Sequence, residues 1–206
     1  MTSWKSQSFV FIGHSGSGKS LQSHLLEEAV KKDEPEAEIV SFSVGSLFRA
    51  RAEGANFFAQ KIKNILMNGG LPPAWLAETL WIEKLANSIH SQDAIILSES
   101  MPRRLHEAEV FDDILRFLGR PRAIPIYLDI PKDESLRRLK ERAERTSDKD
   151  PKAREALSAW FEREIPAILN YYDSRLISID GVGEIEAIHE RIMTHLSESG
   201  PLLKKK

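Results

Sequence analysis

The chain has 206 residues and a formal net charge of -2, and this length fits one domain with a sizeable core. Lysine and arginine number 29 against 31 acidic residues, so no global positive field is present to attract nucleic acid. The lack of cysteine excludes disulfides and cysteine-ligated zinc, and neither a signal-peptide core nor a membrane-length apolar run occurs. We therefore predict a single domain over residues 1–206 that is cytoplasmic, with no membrane or nucleic-acid partner. We also expect a monomer, although composition does not determine assembly.

The first predicted strand leads directly into a glycine-rich turn. Phe9–Ile12 is an apolar run without helical spacing, and the residues that follow read Gly-x-x-x-x-Gly-Lys-Ser. In such a loop the glycines let backbone amides face phosphate oxygens, while the lysine adds a positive charge and the serine hydroxyl can reach magnesium. The predicted phosphate-binding residues are Gly13, His14, Ser15, Gly16, Ser17, Gly18, Lys19 and Ser20.

The same turn can also be compared with the nucleophile elbow of a hydrolase, Gly-x-Ser-x-Gly. Ser17 stands where that elbow needs its second glycine, and no histidine of the chain is marked as a partner for Ser15. Because the phosphate loop is complete and the elbow is not, we favour phosphate binding.

Four more apolar runs alternate with amphipathic stretches. Consecutive apolar positions in Ile95–Leu97 and Ile126–Leu128 indicate strands covered on both faces, as in a parallel sheet. The later strands are predicted at 39–42, 94–97, 124–128 and 176–179, and the helices at 19–32, 56–68, 74–88, 105–118, 132–145, 152–172 and 183–196. Pro166 is expected to start or kink a segment within the sixth helix. The pattern predicts an α/β fold with a five-stranded parallel sheet flanked by helices.

Two excursions from this alternation are candidates for substrate binding. About fifty residues separate the second strand from the third, which predicts a small helical subdomain over residues 44–92. In the second excursion, Arg138, Arg142 and Arg145 have the spacing i, i+4, i+7 and project from one helical face. Alone, this face would be interpreted as a solvated mixed-charge surface, but beside a phosphate loop it predicts arginines that approach the phosphates.

Four motifs, in order, resemble those of the adenylate kinase family of nucleoside monophosphate kinases, and the resemblance covers nearly the whole chain. They are GHSGSGKSLQ at 13–22, FSVGSLFRA at 42–50, IILSESMPRR at 95–104, and the stretch 138–150, which resembles a short lid. The resemblance implies a P-loop fold with a monophosphate-binding excursion at 44–92 and a short lid at 138–155. It also implies transfer of the γ-phosphoryl group of ATP to a nucleoside monophosphate, with AMP as the expected acceptor and Mg²⁺ as cofactor.

Residue roles are carried over where the motifs match. The phosphate loop, Gly13 to Ser20, is expected to bind ATP, and the metal is assigned to Ser20 and Glu99. The residues expected to act in catalysis are Lys19, Arg103, Arg138, Arg142 and Arg145. The residues expected to bind the monophosphate are Ser43, Val44, Arg49, Met101, Arg103 and Glu107.

Several positions depart from the family pattern. Ser15 stands for a proline, Glu99 for an aspartate, and the arginine expected near Ala156 is absent. Two other functions therefore stay open: a P-loop kinase of a small hydroxyl metabolite, and a nucleotide-binding module without catalysis.

Glu107 stands where the family usually has a glutamine that reads adenine. An ionised carboxylate only accepts hydrogen bonds, so it would match the two donors of guanine better than adenine. The alternative is an exposed residue in the first turn of a helix, where the helix dipole favours an acid.

Other side chains are assigned to structure. The His14 side chain is expected to be a bystander in the loop. We expect Trp75, Trp81 and Trp160 to belong to the core, since aromatic residues at helical spacing usually do. The six-residue spacing of His189 and His195 does not favour a metal site.

Overall fold

The computed structural model describes residues 4–68, 70–142 and 150–198. The strands in these ranges are β1 (Ser8–Gly13), β2 (Ile39–Phe42), β3 (Ile95–Ser98), β4 (Ile124–Asp129) and β5 (Ile177–Asp180). The helices are α1 (Lys19–Asp33), α2 (Val44–Ala52), α3 (Phe57–Met67), α4 (Ala74–Ser88), α5 (Leu105–Phe117), α6 (Lys132–Arg142), α7 (Pro151–Tyr172) and α8 (Ile185–Glu198), with a 3₁₀ turn at Asp173–Arg175. None of these helices is both long enough and apolar enough to cross a bilayer.

The five strands form one parallel sheet in the order β2-β3-β1-β4-β5. Because β1 is central, the phosphate loop leaves the sheet between the ends of β3 and β4. All carboxyl ends lie at the same edge, and the strand order reverses beside β1, which is where open α/β sheets bind ligands. The predicted fold class is confirmed.

Alternating side chains of the strands build two cores, one on each face of the sheet. Val10 and Ile12 pack with helices α2 to α5 and α7, whereas Phe9 and Phe11 pack with α1 and α8. Since apolar side chains are buried on both faces of the central strands, β1 and β3 appear in the sequence as continuous apolar runs.

Helix α2 was not predicted from the sequence. Helix α2 follows β2 immediately, and its N-terminus is capped by Ser43, whose hydroxyl accepts a hydrogen bond from the Ser46 backbone N–H at 3.1 Å. The helix is only nine residues long and contains Gly45, so its helical periodicity is weak.

Pro166 lies inside α7, and no separate segment starts there, so that part of the prediction is wrong. The residues around it are held by packing, since Ile165 and Ile168 are buried and α7 contacts both α5 and α6. This packing offsets the hydrogen bond that proline removes. The last three residues predicted for the helix at 132–145 lie outside the described residues.

Candidate active site

The phosphate loop has a backbone that requires glycine. Gly16 and Gly18 have φ values of 88° and 95°, in the left-handed region. A Cβ atom at Gly13 would lie 2.7 Å from both the Leu128 carbonyl oxygen and Ser17 Oγ. Gly18 is also the N-cap of α1, so the loop ends at the helix N-terminus, where free amides favour an anion.

Lys19 lies over this loop. Its Nζ donates hydrogen bonds to the carbonyl oxygens of Gly13 at 2.9 Å and His14 at 2.6 Å. The ammonium group therefore lies at the loop itself, and its side chain lines the adjoining cleft.

The His14 side chain does not line that cleft. It is buried, its ring lies 4.2 Å from the Phe161 ring, and burial lowers the pKa of its imidazole below the ordinary value. The ring is thus neutral at neutral pH, and the loop position uses the backbone of His14 rather than its side chain.

A cleft of about 830 Å³ opens at the carboxyl edge of the sheet. It is bounded by the phosphate loop, the α2–α3 excursion, the end of β3, and helices α6 and α7. The predicted site residues that line it are Gly13, Ser15, Gly16, Gly18, Lys19, Ser20, Ser43, Arg49, Glu99, Arg103, Arg138 and Arg142. Those that do not line it are His14, Ser17, Val44, Met101 and Glu107; Arg145 lies outside the described residues.

Two arginines from different segments converge on one glycine. A Cβ atom at Gly45 would lie 3.3 Å from Arg49 Nη1 and 3.9 Å from Arg103 Nη2. Arg103 is oriented by Ser100, because its Nε donates to the Ser100 carbonyl oxygen at 3.1 Å. Forked guanidinium groups suit phosphate oxygens, and both arginines line the cleft that the phosphate loop also lines.

Val44 and Met101, which were predicted to bind the monophosphate, do not line the cleft. Both side chains are fully buried in the core. The Val44 backbone N–H donates to Ser100 Oγ at 3.2 Å, which ties the start of α2 to the loop after β3.

Glu107 is buried, with an exposed fraction of 1%. Its Oε2 accepts a hydrogen bond from the Arg103 backbone N–H at 2.8 Å. Burial raises the pKa of the Glu107 carboxyl above its ordinary value, and the hydrogen bond from Arg103 acts in the opposite direction. The expectation of an exposed first-turn residue is wrong, because this turn of α5 packs inward with Ala108 and Phe111.

The arginine face of α6 is directed toward the cleft, which both Arg138 and Arg142 line. Arg138 is held in place, since its Nε donates to Glu134 Oε1 at 2.6 Å and its Nη2 to the Gly181 carbonyl oxygen at 3.0 Å. The i, i+4 spacing is therefore confirmed for these two residues.

The tryptophan prediction is only partly right. Trp81 is fully buried, but Trp75 is 55% exposed and Trp160 lines the cleft. Leu157, Trp160 and Phe161 form one stripe of α7, and all three line the cleft.

Sequence reasoning missed other residues of the cleft. They include Gly45, Glu53, Lys63, Leu71, Leu157 and Phe161. The spacing i, i+3, i+4 of residues 157, 160 and 161 indicates that they share one face of a helix, but the sequence does not indicate what that face contacts.

A magnesium ion fits the donor atoms that this cleft presents. Ser20 and Glu99 both line it, and hydroxyl and carboxylate oxygens are hard donors that Mg²⁺ prefers. Within the described ranges there is no cluster of three or more His, Cys, Asp or Glu side chains that could hold a metal. This sparse set suits Mg²⁺, which is usually held by one or two side chains together with substrate phosphates and water.

Known proteins with similar sequences agree with the geometry. The sequence pattern of the AAA domain family matches residues 12–157. A protein of Thermobifida fusca named adenylate kinase is 30% identical over 192 residues, which cover 91% of this chain and 96% of that protein. The chain belongs to the adenylate kinase family. Membership in this family makes it an ATP-dependent phosphotransferase of the P-loop class.

Two other relatives carry the same name. The adenylate kinase of Deinococcus deserti is 27% identical, with 94% of this chain and 98% of the relative covered. The adenylate kinase of Thermus thermophilus is also 27% identical, with 92% and 97% covered. The similarity therefore extends over the full set of elements that surround the cleft in this family member.

Proposed function

We propose that this protein transfers the γ-phosphoryl group of ATP to AMP in a Mg²⁺-dependent reaction that yields two molecules of ADP. One observation carries the proposal: Lys19 with its phosphate loop and the convergent pair Arg49 and Arg103 face a single cleft. Two anion sites in one cleft are what transfer between two phosphates requires.

The donor phosphates would bind at the phosphate loop. Its backbone amides and the N-terminus of α1 offer hydrogen bonds without any rearrangement of side chains. Lys19, which is held by the loop carbonyls of Gly13 and His14, would place its positive charge beside the phosphate oxygens.

The acceptor phosphate would bind between Arg49 and Arg103. One of its oxygens attacks the γ-phosphorus of ATP, and the bond between that phosphorus and the β–γ bridging oxygen breaks, which leaves ADP. The electron pair of the broken bond stays on the β-phosphate oxygen. The arginines hold the attacking oxygen in line and stabilise the charge spread over the transferring group.

Ser20 and Glu99 are the residues that would hold Mg²⁺, Glu99 through water. When bound, the ion neutralises charge on the β- and γ-phosphates. Ser20 belongs to the loop, and the Glu99 backbone N–H donates to the Phe42 carbonyl oxygen at 3.0 Å, which fixes the start of the Glu99 side chain at the end of β3.

The short lid at 138–155 would close over the donor, and residues 44–92 would close over the acceptor. Arg138 and Arg142 already line the cleft and would add positive charge around the transferring group, together with Arg145. Closure excludes water and so limits hydrolysis of ATP. The kinase would act as a single-domain monomer in the cytoplasm, and its complete lack of cysteine is compatible with that compartment.

A coupled assay with ATP and Mg²⁺ against a panel of acceptors tests this function. The panel contains AMP, GMP, CMP, UMP and small hydroxyl metabolites. We expect AMP to give the highest kcat/KM. Turnover restricted to a hydroxyl metabolite, or ATP binding without any transfer, would contradict the proposal.

A further inference from the structure

Two adjacent aromatic residues on α7 contact the two phosphate-binding segments separately. We call Trp160 and Phe161 the aromatic pair. The Phe161 ring lies 4.2 Å from the His14 ring in the phosphate loop, while the Arg104 guanidinium lies 5.6 Å from the centre of the Trp160 ring. One turn of a helix thus contacts both the donor side and the acceptor side.

The contact on the acceptor side involves the residue next to Arg103, one of the two arginines proposed to bind the acceptor phosphate. Arg104 follows Arg103 directly, and its guanidinium makes no hydrogen bond or ion pair within the part of the chain that the structure describes. A guanidinium over the face of an indole is attracted by the negative charge of the ring face. Trp160 therefore holds the side chain that follows Arg103 and, through the shared backbone, limits where Arg103 can lie.

The contact on the donor side involves the residue whose carbonyl holds Lys19. His14 is buried, so its ring has a fixed packing partner in Phe161. The His14 carbonyl oxygen accepts a hydrogen bond from Lys19 Nζ at 2.6 Å. Phe161 therefore packs against the segment of the loop that positions the donor lysine.

We propose that Trp160 and Phe161 are positioning residues, Trp160 for the acceptor arginine and Phe161 for the donor loop. Both sit on the same turn of α7, so this helix fixes the separation of the two phosphate sites. The inference rests on the proposed kinase function. Its consequence is large because misplacement of reacting groups by about 1 Å can cost about a hundredfold in rate.

Binding of each nucleotide, measured separately by calorimetry, tests the proposal without requiring turnover. Trp160→Leu should weaken AMP binding about tenfold and leave ATP binding within about twofold. Phe161→Leu should weaken ATP binding about tenfold and leave AMP binding within about twofold. Trp160→Phe, which keeps a ring, should restore most of the AMP affinity. Phe117→Leu, which removes an aromatic ring that is 87% exposed, is the matched control.

Second substitutions identify the partner through which each ring acts. In an Arg104→Met background, Trp160→Leu should have no further effect on AMP binding, whereas in a His14→Ala background its effect should persist. Phe161→Leu should have no further effect on ATP binding in the His14→Ala background, whereas its effect should persist in the Arg104→Met background. Contacting groups give such non-additive effects, and distant groups do not.

Three outcomes overturn the inference: equal weakening of both nucleotides by either variant, loss of AMP affinity in Trp160→Phe as large as in Trp160→Leu, or an undiminished effect of Trp160→Leu in the Arg104→Met background. The last would mean that the indole contacts AMP directly. A wild type that binds both nucleotides but transfers no phosphoryl group would contradict the proposed function alone.

Discussion

At the scale of single residues, the position of the Lys19 ammonium group and the conformation of its loop depend on each other. The ammonium group is bonded to two loop carbonyls, so it holds the loop in the shape that a phosphate needs. A flexible lysine that is fixed in this way is preorganised, and preorganised charge is worth most in a site that excludes water.

Replacing this lysine is expected to stop transfer while the fold survives. Lys19→Ala should lower kcat about a hundredfold or more because one preorganised cationic contact is lost. Lys32→Ala, an exposed lysine at the other end of α1, is the control and should keep wild-type turnover. Circular dichroism would verify that both variants are folded, and wild-type rates in a folded Lys19→Ala protein would contradict the assigned role.

The buried carboxyl of Glu107 should be visible in the pH dependence of stability. Its pKa in the folded protein is raised above the ordinary value of 4.5, so the folded state binds a proton more tightly than the unfolded state. As pH rises from 4.5 through the raised pKa, the wild type should lose stability relative to Glu107→Gln, whose amide oxygen can still accept from Arg103. Urea unfolding across this range measures it.

The exposed neighbour Glu109 provides the control for this experiment, and Glu109→Gln should track the wild type at every pH. A stability difference between wild type and Glu107→Gln that stays constant with pH would mean that the carboxyl ionises normally in the folded protein.

At the scale of elements, the sequence was most informative where burial is two-sided. All five strands were predicted to within about one residue. Strands β1, β3 and β4 are buried on both faces and leave runs of consecutive apolar residues, whereas β5 alternates buried and exposed residues. Helix α2 was missed because it is short and carries a glycine. Its signal is the Ser43 cap, a local hydrogen bond that hydrophobic periodicity does not report.

The site shows the same division between local and long-range information. The phosphate loop is a local motif, so its lining residues could be predicted, and the i, i+4 spacing correctly placed Arg138 and Arg142 together. The roles of Trp160 and Glu107 depend on what their helices pack against. Contacts between segments that are distant in sequence cannot be predicted from the residues that neighbour Trp160 or Glu107 in the chain.

Closure of the two excursions is expected when both substrates are bound. Lys63 in α3 and the α6 arginines line the cleft, so phosphates would attract both segments toward the sheet. A bisubstrate analogue should increase hydrogen-exchange protection near residues 56–68 and 138–150, while α8 on the opposite face should be unchanged. An analogue that binds without added protection in either segment would contradict closure.

At the scale of the whole molecule, Asp112 joins elements that are far apart in the chain. This buried carboxylate on α5 pairs with Arg175 in the turn before β5, accepts from the Tyr171 hydroxyl at 2.9 Å, and pairs with Arg122 at 3.2 Å. Burial alone would raise the pKa of Asp112, but the hydrogen bond and charge of Arg175 outweigh it, and the pKa is lowered.

Removing this charge should destabilise the whole fold. Asp112→Asn is expected to lower the free energy of unfolding by about 3 kcal/mol, because it leaves the nearly buried guanidinium of Arg175 unpaired. Asp113→Asn, whose carboxylate is 73% exposed, is the control and should change stability by about 0.5 kcal/mol or less. The difference between wild type and Asp112→Asn should shrink as pH falls below the ordinary value of 3.8. Equal stability of the two variants would show that the network carries no net stabilisation.

We propose that the phosphate loop and the arginine pair of one cleft together perform phosphoryl transfer between two nucleotides. Incubating the protein with Mg²⁺, AMP and ATP labelled at the γ-phosphate tests this most directly. We expect the label to appear in the β-phosphate of newly formed ADP, two molecules of ADP to form per ATP consumed, and removal of Mg²⁺ to stop the reaction. Release of the label as inorganic phosphate at a rate independent of AMP, with no labelled ADP, would mean that the protein hydrolyses ATP and does not transfer its phosphoryl group to AMP.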